Sequence, residues 1–345
     1  MFEEKWEKRW HPLRQEWVVY AAHRNSRPWN TGASTLEKKV TPAYDSSCYL
    51  CPGNKRIHGG QNPDYTGIFI FDNDHPVVGS QAPEIDPSRQ ISGNSLYKRA
   101  KAEGIARVVC YDPRHNVSLA EVDTKQVTNV FIAWRSQMQE FYDNPAINHV
   151  LIFENKGELS GVSNPHPHCQ IYATDFVFKH TEQHLQVAQQ HQTDTSQNIF
   201  EQIIENEQQE GLRVVAENKG AIAFIPFFAR YAYEMMIFPK KRHATLITMS
   251  DAELYDLAAV FQEVIWRYDA LFEMSFPYVM SVQQAPVDGS LYPEYHLHLS
   301  ILPPLRQPGL IKFLAGPEIG GGNFMADTMP EEKAAALRNV MLPGM

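Results

Sequence analysis

Apolar and polar positions along this chain fall into two runs with the same order of predicted elements. In the first, Ile68-Phe69-Ile70-Phe71 stops at Asn73-Asp74-His75-Pro76, and Ala106-Arg107-Val108-Val109-Cys110-Tyr111 leads as a strand to Asp112-Pro113-Arg114-His115. Val127, Val130, Phe131, Trp134, Met138 and Phe141 then recur at helical spacing behind Asp123, a suitable N-cap. Two strands follow, His149-Val150-Leu151-Ile152-Phe153 and one carrying His166-Pro167-His168-Cys169-Gln170-Ile171-Tyr172. The second run repeats the order. Ala221-Ile222-Ala223-Phe224-Ile225 ends at Pro226, and Tyr233-Glu234-Met235-Met236-Ile237-Phe238 leads to Pro239-Lys240-Lys241-Arg242-His243. Ser250 and Glu253 have capping-box spacing ahead of a helix with Leu254, Leu257, Ala258, Phe261, Val264, Ile265, Tyr268, Leu271 and Phe272 on one face. Tyr278-Val279-Met280-Ser281-Val282 and Tyr295-His296-Leu297-His298-Leu299 complete it.

His115 and His166 are 51 residues apart, and His243 and His296 are 53 apart. A strand–His–helix–strand–His-x-His order at nearly equal spacing marks an internal duplication. The prediction is an α+β protein of two tandem halves, each a mainly antiparallel sheet with one long helix, because strands come in runs between single helices. The halves are placed at 1–178 and 212–345. The segment between them, 179–211, is rich in Gln, Glu and His and reads as an exposed helical connector that keeps some apolar residues.

Composition narrows the class. The chain has 345 residues, 43% hydrophobic and 21% charged, with four cysteines. That is ample for a core without disulfide staples, and so few cysteines favour a reducing compartment. A net charge of −9 argues against a nucleic-acid or anionic-membrane surface. No apolar run approaches the roughly 20 residues of a membrane span, and the start of the chain lacks an apolar signal core. A cytoplasmic protein is expected.

The candidate chemistry sits on the histidine-bearing strand of the first half. Side chains alternate along a strand, so His166, His168 and Gln170 share one face while Pro167 and Cys169 take the other. Single buried histidines are mostly satisfied core residues, but two imidazoles and an amide in a row are expensive to bury without partners. Gly157 and Gly161 precede Ser163 and Asn164 in a turn able to offer backbone N–H groups to an anion. A neutral imidazole can attack phosphorus, and a neighbouring amide can stabilise the developing charge. Separately, Cys48-x-x-Cys51-Pro52-Gly53 reads as a knuckle-like metal half-site. Cys110 lies mid-strand and Cys169 faces away, so the remaining ligands are expected to be histidines. His115 and His166 are the best placed, giving a structural Cys2His2 zinc site.

Ser163-Asn164-Pro165-His166-Pro167-His168-x-Gln170 together with Cys48-x-x-Cys51-x-Gly53-Asn54 closely resembles the galactose-1-phosphate uridylyltransferase family, a branch of the histidine-triad superfamily. The likeness covers nearly the whole chain. It includes His23-Arg24-x-x-Arg27-Pro28-Trp29, Asn62-Pro63-Asp64-Tyr65-Thr66-Gly67, Phe71-x-Asn73-Asp74, Phe153-Glu154-Asn155-Lys156-Gly157 and Lys312-Phe313. The resemblance implies two histidine-triad-like halves and a ping-pong exchange of UMP between UDP-glucose and galactose 1-phosphate, through His168. It implies that Gln170, Ser163 and Asn155 hold phosphoryl oxygens, that Arg24 and Arg27 meet the phosphates, and that Phe71, Asn73 and Asp74 hold uracil and ribose. It implies that Lys312, Phe313 and Glu318 bind hexose in the neighbouring subunit of a homodimer. Cys48, Cys51, His115 and His166 fall on the family's zinc positions.

The chain also departs from the family pattern. A second metal, iron or zinc, would use a Glu and three His; His296 and His298 are present, but Gln283 stands at the third His. The Glu position falls near His184, with Glu182 two residues away. That site is expected to be altered or absent. Pro317 stands where the family usually has Tyr, and a Gln beyond it has Asn323 as an ambiguous counterpart; both bear on sugar specificity. Two other readings compete: a nucleotidyltransferase or phosphorylase for another nucleotide sugar, and a zinc-knuckle binding module. The Pro between His166 and His168 and the Phe71-x-Asn73-Asp74 stretch favour the uridylyltransferase over the former. The absence of a Lys/Arg cluster with interleaved aromatics disfavours the latter.

Overall fold

The computed structural model describes residues 6–23, 41–86 and 96–341. Among these residues the strands, in chain order, are β1 (Trp6–His11), β2 (Glu16–Ala21), β3 (Phe69–Asp72), β4 (Gly104–Cys110), β5 (His149–Lys156), β6 (His168–Thr174), β7 (Val214–Glu217), β8 (Ala221–Phe224), β9 (Met235–Pro239), β10 (Tyr278–Gln283), β11 (His298–Leu302), β12 (Leu305–Gln307), β13 (Leu310–Ile311) and β14 (Met325–Ala326). The helices are α1 (Thr124–Tyr142), α2 (Lys179–Thr195), α3 (Ile199–Glu210), α4 (Asp251–Phe272) and α5 (Pro330–Arg338).

Both long helices start where their caps lie. Asp123 accepts the Gln126 N–H at 2.7 Å, and Ser250 and Glu253 exchange bonds in a capping box. The six apolar positions read along α1 are all buried. Helices α1 and α4 pack on each other through Phe131 and Phe261, whose ring centroids are 5.7 Å apart, and bury one face of the sheet beneath them.

The two copies do not form separate sheets. Nine strands run β3-β4-β6-β5-β10-β11-β9-β8-β7 among the described residues. The first half contributes β3-β4-β6-β5 and the second its mirror, β10-β11-β9-β8, with β7 added at the edge. They fuse where β5 pairs antiparallel with β10, Phe153 opposite Ser281. The α+β class and the tandem order are as expected; the continuous sheet is new.

The connector is helical, but one face of it is not exposed. Ile199, Phe200, Ile203 and Ile204 of α3 and Ala188 of α2 are buried against Ile222, Phe224, Met236 and Phe238. With α4 on the other face, β8 and β9 are buried on both sides, which explains their unbroken apolar runs. Outside the main sheet, β1 and β2 form a hairpin with Trp10 opposite Trp17, and β14 adds in parallel to β2. No helix among the described residues is long and apolar enough to cross a membrane.

Candidate active site and metal centre

The strand bearing the histidines begins at His168, not at His166. Proline at 165 and 167 cannot donate to a ladder. The chain therefore enters the sheet through the Pro167 carbonyl, which accepts the Tyr111 N–H at 3.0 Å. From there alternation holds. Cys169 faces the helices and accepts from Trp134 Nε1 at 3.2 Å, while His168 and Gln170 lie on the opposite face.

His168 Nδ1 lies 2.7 Å from the His166 carbonyl oxygen. A carbonyl only accepts, so Nδ1 carries the proton and Nε2 keeps its lone pair. Burial holds the imidazole below its usual pKa, so it is neutral near pH 7. Beside it a pocket of about 40 Å³ is lined by Asn155, Ser163 and Gln170, the side chains expected around a phosphoryl group. Gln170 Oε1 accepts from Asn73 Nδ2 at 3.3 Å and from Tyr172 OH at 3.1 Å, so its amide nitrogen is held as the donor. A larger cleft of about 680 Å³ opens at the same end of the sheet, running from His166 and His168 past Glu154 and Lys156 to Met274 and Ser275.

Cys48, Cys51, His115 and His166 are all buried, and one ligand atom from each lies within 4.8 Å of the others. Cys51 Sγ is 3.5 Å from His115 Nδ1 and 3.6 Å from His166 Nδ1. His166 Nε2 donates to the Asp112 carbonyl at 3.0 Å, which leaves Nδ1 as its free lone pair, aimed at the cysteines. Burial pushes the Cys51 thiol up to about 11 and the His166 imidazole down to about 4. Neutral imidazole nitrogens and cysteine sulfurs converging on one point are the ligand types of a soft metal ion, which the thiols bind as thiolates. The four residues can hold one. Leu50 N–H and Asn164 Nδ2 both point to Cys48 Sγ, at 3.3 Å each, supporting the sulfur as an acceptor.

Other expected residues are distributed as follows. Phe71, Asn73 and Asp74 lie at the end of β3, joined to Gln170 through Asn73. Lys312 and Glu318 pair with each other at 3.2 Å, and Phe313 is exposed; none of the three lines the cleft or the small pocket. Arg24 and Arg27 lie outside the described residues. Arg56, not singled out by the sequence, forks onto Asp74, an ion pair that a lone arginine in a polar loop does not announce.

In the second half, His298 Nδ1 lies 3.1 Å from the His296 carbonyl, the same tether as in the first. Its ring, however, is sealed between Phe238 at 4.8 Å, Phe200 at 5.7 Å and His184 at 5.8 Å. Gln283 donates to Ser281 Oγ, and the His184 and His298 rings lie 5.8 Å apart, tilted by 30°. Among the described residues, the one group of three or more Cys, His, Asp or Glu side chains with converging ligand atoms is that of the first half. Among the described residues the corresponding face of the first half carries the cysteine knuckle and Tyr65, and His168 and Gln170 are partly open.

Comparison with known proteins decides the family. A profile described as the N-terminal domain of galactose-1-phosphate uridyl transferase matches residues 2–178, and one for its C-terminal domain matches 179–343. The chain belongs to the galactose-1-phosphate uridylyltransferase family. Among its relatives, the galactose-1-phosphate uridylyltransferase of Haemophilus influenzae is 33% identical over 96% of this chain and 93% of its own. That of Rattus norvegicus is 34% identical over 96% of this chain and 86% of its own. A solved uridylyltransferase superposes with a TM-score of 0.77 at 27% identity, covering 96% of this chain and 97% of that one.

Proposed function

We propose that this transferase exchanges UMP between UDP-glucose and galactose 1-phosphate by a ping-pong route through a covalent intermediate on His168. The observation that carries the reading is the His168 tautomer, fixed by the His166 carbonyl, in a chain of this family. The Nε2 lone pair attacks the α-phosphorus of UDP-glucose; an N–P bond forms as the bond to the bridging oxygen breaks, and glucose 1-phosphate leaves. The ring becomes an imidazolium whose Nδ1–H stays on the His166 carbonyl. A phosphate oxygen of galactose 1-phosphate then attacks the same phosphorus, the N–P bond breaks, and UDP-galactose leaves with His168 neutral again. No general acid is needed, because each leaving group departs as an anion it is stable as.

Gln170, Ser163 and Asn155 hold the non-bridging oxygens on which charge develops. Arg24 and Arg27 meet the phosphates, and Phe71, Asn73 and Asp74 take uracil and ribose. Lys312, Phe313 and Glu318 serve the hexose site of the neighbouring subunit in a homodimer; their position away from the cleft of their own chain supports that reading. The metal of the Cys48, Cys51, His115 and His166 cluster is zinc. Sulfur and nitrogen ligands of a tetrahedral zinc stand roughly 3.6 Å apart, which agrees with 3.5 and 3.6 Å here. Bound there, zinc would supply structural cross-linking, with Cys48, Cys51, His115 and His166 holding it and His166 fixed beside the start of β6. Four unpaired, buried cysteines support a cytoplasmic location, and 1–178, 179–211 and 212–345 serve as the two halves and their connector.

Initial rates test the scheme. Varying UDP-glucose at several fixed concentrations of galactose 1-phosphate should give parallel double-reciprocal lines; intersecting lines would overturn it.

A further inference from the structure

The loop after the cysteine knuckle makes a contact that the uridylyl-transfer reading does not use. Residues 55–61 form a small hairpin: Lys55 bridges Gln61, and Arg56 N–H donates to the Gly60 carbonyl at 2.7 Å. Its base is tied to the knuckle, because Asn62 Nδ2 donates to the carbonyls of Tyr49 and Cys51 at 2.9 and 3.0 Å. From this rooted hairpin the Arg56 side chain reaches the end of β3. Nη2 lies 2.5 Å from Asp74 Oδ1 and Nε lies 3.2 Å from Oδ2. Nη2 also donates to the Asp72 carbonyl at 2.7 Å, and the guanidinium lies 3.9 Å from the centroid of the Phe71 ring. A second contact joins the same two segments, His58 against His75 with centroids 4.6 Å apart.

We propose that Arg56 is a positioning residue for the nucleoside: it sets the Phe71 ring and the Asp74 carboxylate in the geometry that receives base and ribose. This rests on the reading of Phe71, Asn73 and Asp74 as the nucleoside site. The guanidinium fork engages both oxygens of Asp74 yet uses about two of its four lone-pair sites, leaving the others for hydroxyl donors. Its central carbon, 3.9 Å from the Phe71 centroid, braces that ring at the same time. Both side chains of the ion pair are largely covered, 19% and 16% exposed, so the fork is not an exposed surface pair held loosely in water. Lysine keeps the charge but has neither the fork nor the stacking plane.

Calorimetric titration with UDP, with metal content measured on the same samples, tests this. Arg56→Ala should weaken UDP binding about tenfold or more, equivalent to about 1.4 kcal/mol, and Arg56→Lys nearly as much. Both variants should retain one metal per chain, and their affinity for galactose 1-phosphate, which has no nucleoside, should not change. Asp74→Asn should weaken UDP binding, and adding Arg56→Ala to it should cost less than the two single changes together. Unchanged UDP affinity in Arg56→Lys, or an equal loss for UDP and galactose 1-phosphate, would overturn the proposal. If Arg56→Ala does not fold, Arg56→Lys and Asp74→Asn still decide. Wild-type protein that binds ADP but not UDP would overturn the uridine assignment instead, and the same Arg56 comparison with ADP would judge the positioning role.

Discussion

The backbone carbonyl of His166 lies 2.7 Å from Nδ1 of His168, while the His166 ring turns the other way to place Nδ1 3.6 Å from Cys51 Sγ. One residue thus belongs to both sites: its side chain to the candidate metal cluster, its main chain to His168, the proposed nucleophile. Displacement of the His166 ring is therefore transmitted directly to the orientation of the His168 imidazole.

Replacing Cys48 by Ser should remove the metal and more than about 4 kcal/mol of stability, since loss of a structural metal ranks with the largest single-site effects. Metal analysis and thermal unfolding check this. Full metal content in Cys48→Ser would refute the ligand set.

Gln170→Ala should slow transfer by about 10²–10³ without abolishing it, the usual consequence of losing one preorganised donor. Its amide is oriented by Asn73 and Tyr172, so Asn73→Ala should slow the reaction less, by loosening the same group. Single-turnover rates of uridylylation distinguish the two.

Much of this was legible in one dimension. The heptad-like apolar positions of α1, the Ser250 and Glu253 cap of α4 and the Cys-x-x-Cys knuckle are local patterns, and the structure follows them. The pairing of β5 with β10 is not local. Both strands carry generic apolar residues, and nothing in them encodes a partner more than 120 positions away. The β1–β2 hairpin escaped because Trp6, Lys8, Arg9 and Trp10 give no clean period-two pattern of apolar and polar residues. The connector reads as exposed because Gln and Glu dominate it, while its buried stripe is five residues of α3 and three of α2. Of the site, the histidine row was visible, but the direction of each ring depends on carbonyls brought in by tertiary structure.

Glu154 lies where β5 meets β10, on the helix side, with Tyr111 and Tyr278 hydroxyls each donating to Oε2 at 3.3 Å. Burial pushes its pKa up to about 7, against smaller opposing effects of Lys156 and the two tyrosines. Below the ordinary carboxylate pKa both folded and unfolded states are protonated, so the shift costs nothing there. As pH rises from about 4.5 towards 7 the unfolded chain releases the proton first, and stability falls by up to roughly 3 kcal/mol. Glu154→Gln should flatten that fall. Denaturant unfolding at pH 5 and pH 8 measures it; an equal decline in variant and wild type would contradict the assignment.

Gly157 opens the turn that carries Ser163, with φ of +83°. A Cβ there would stand 2.8 Å from Pro277 Cβ, just before β10. Gly157→Ala should therefore cost about 1–3 kcal/mol through strain and displace the turn, lowering the uridylylation rate more than it lowers metal content.

The most direct test of the account is intact-protein mass spectrometry after incubation with UDP-glucose and no acceptor. A single UMP adduct that maps to His168, clears on addition of galactose 1-phosphate and is missing in a folded, metal-replete His168→Gly variant is the predicted result. An adduct on another residue, or transfer that persists in His168→Gly, would contradict it.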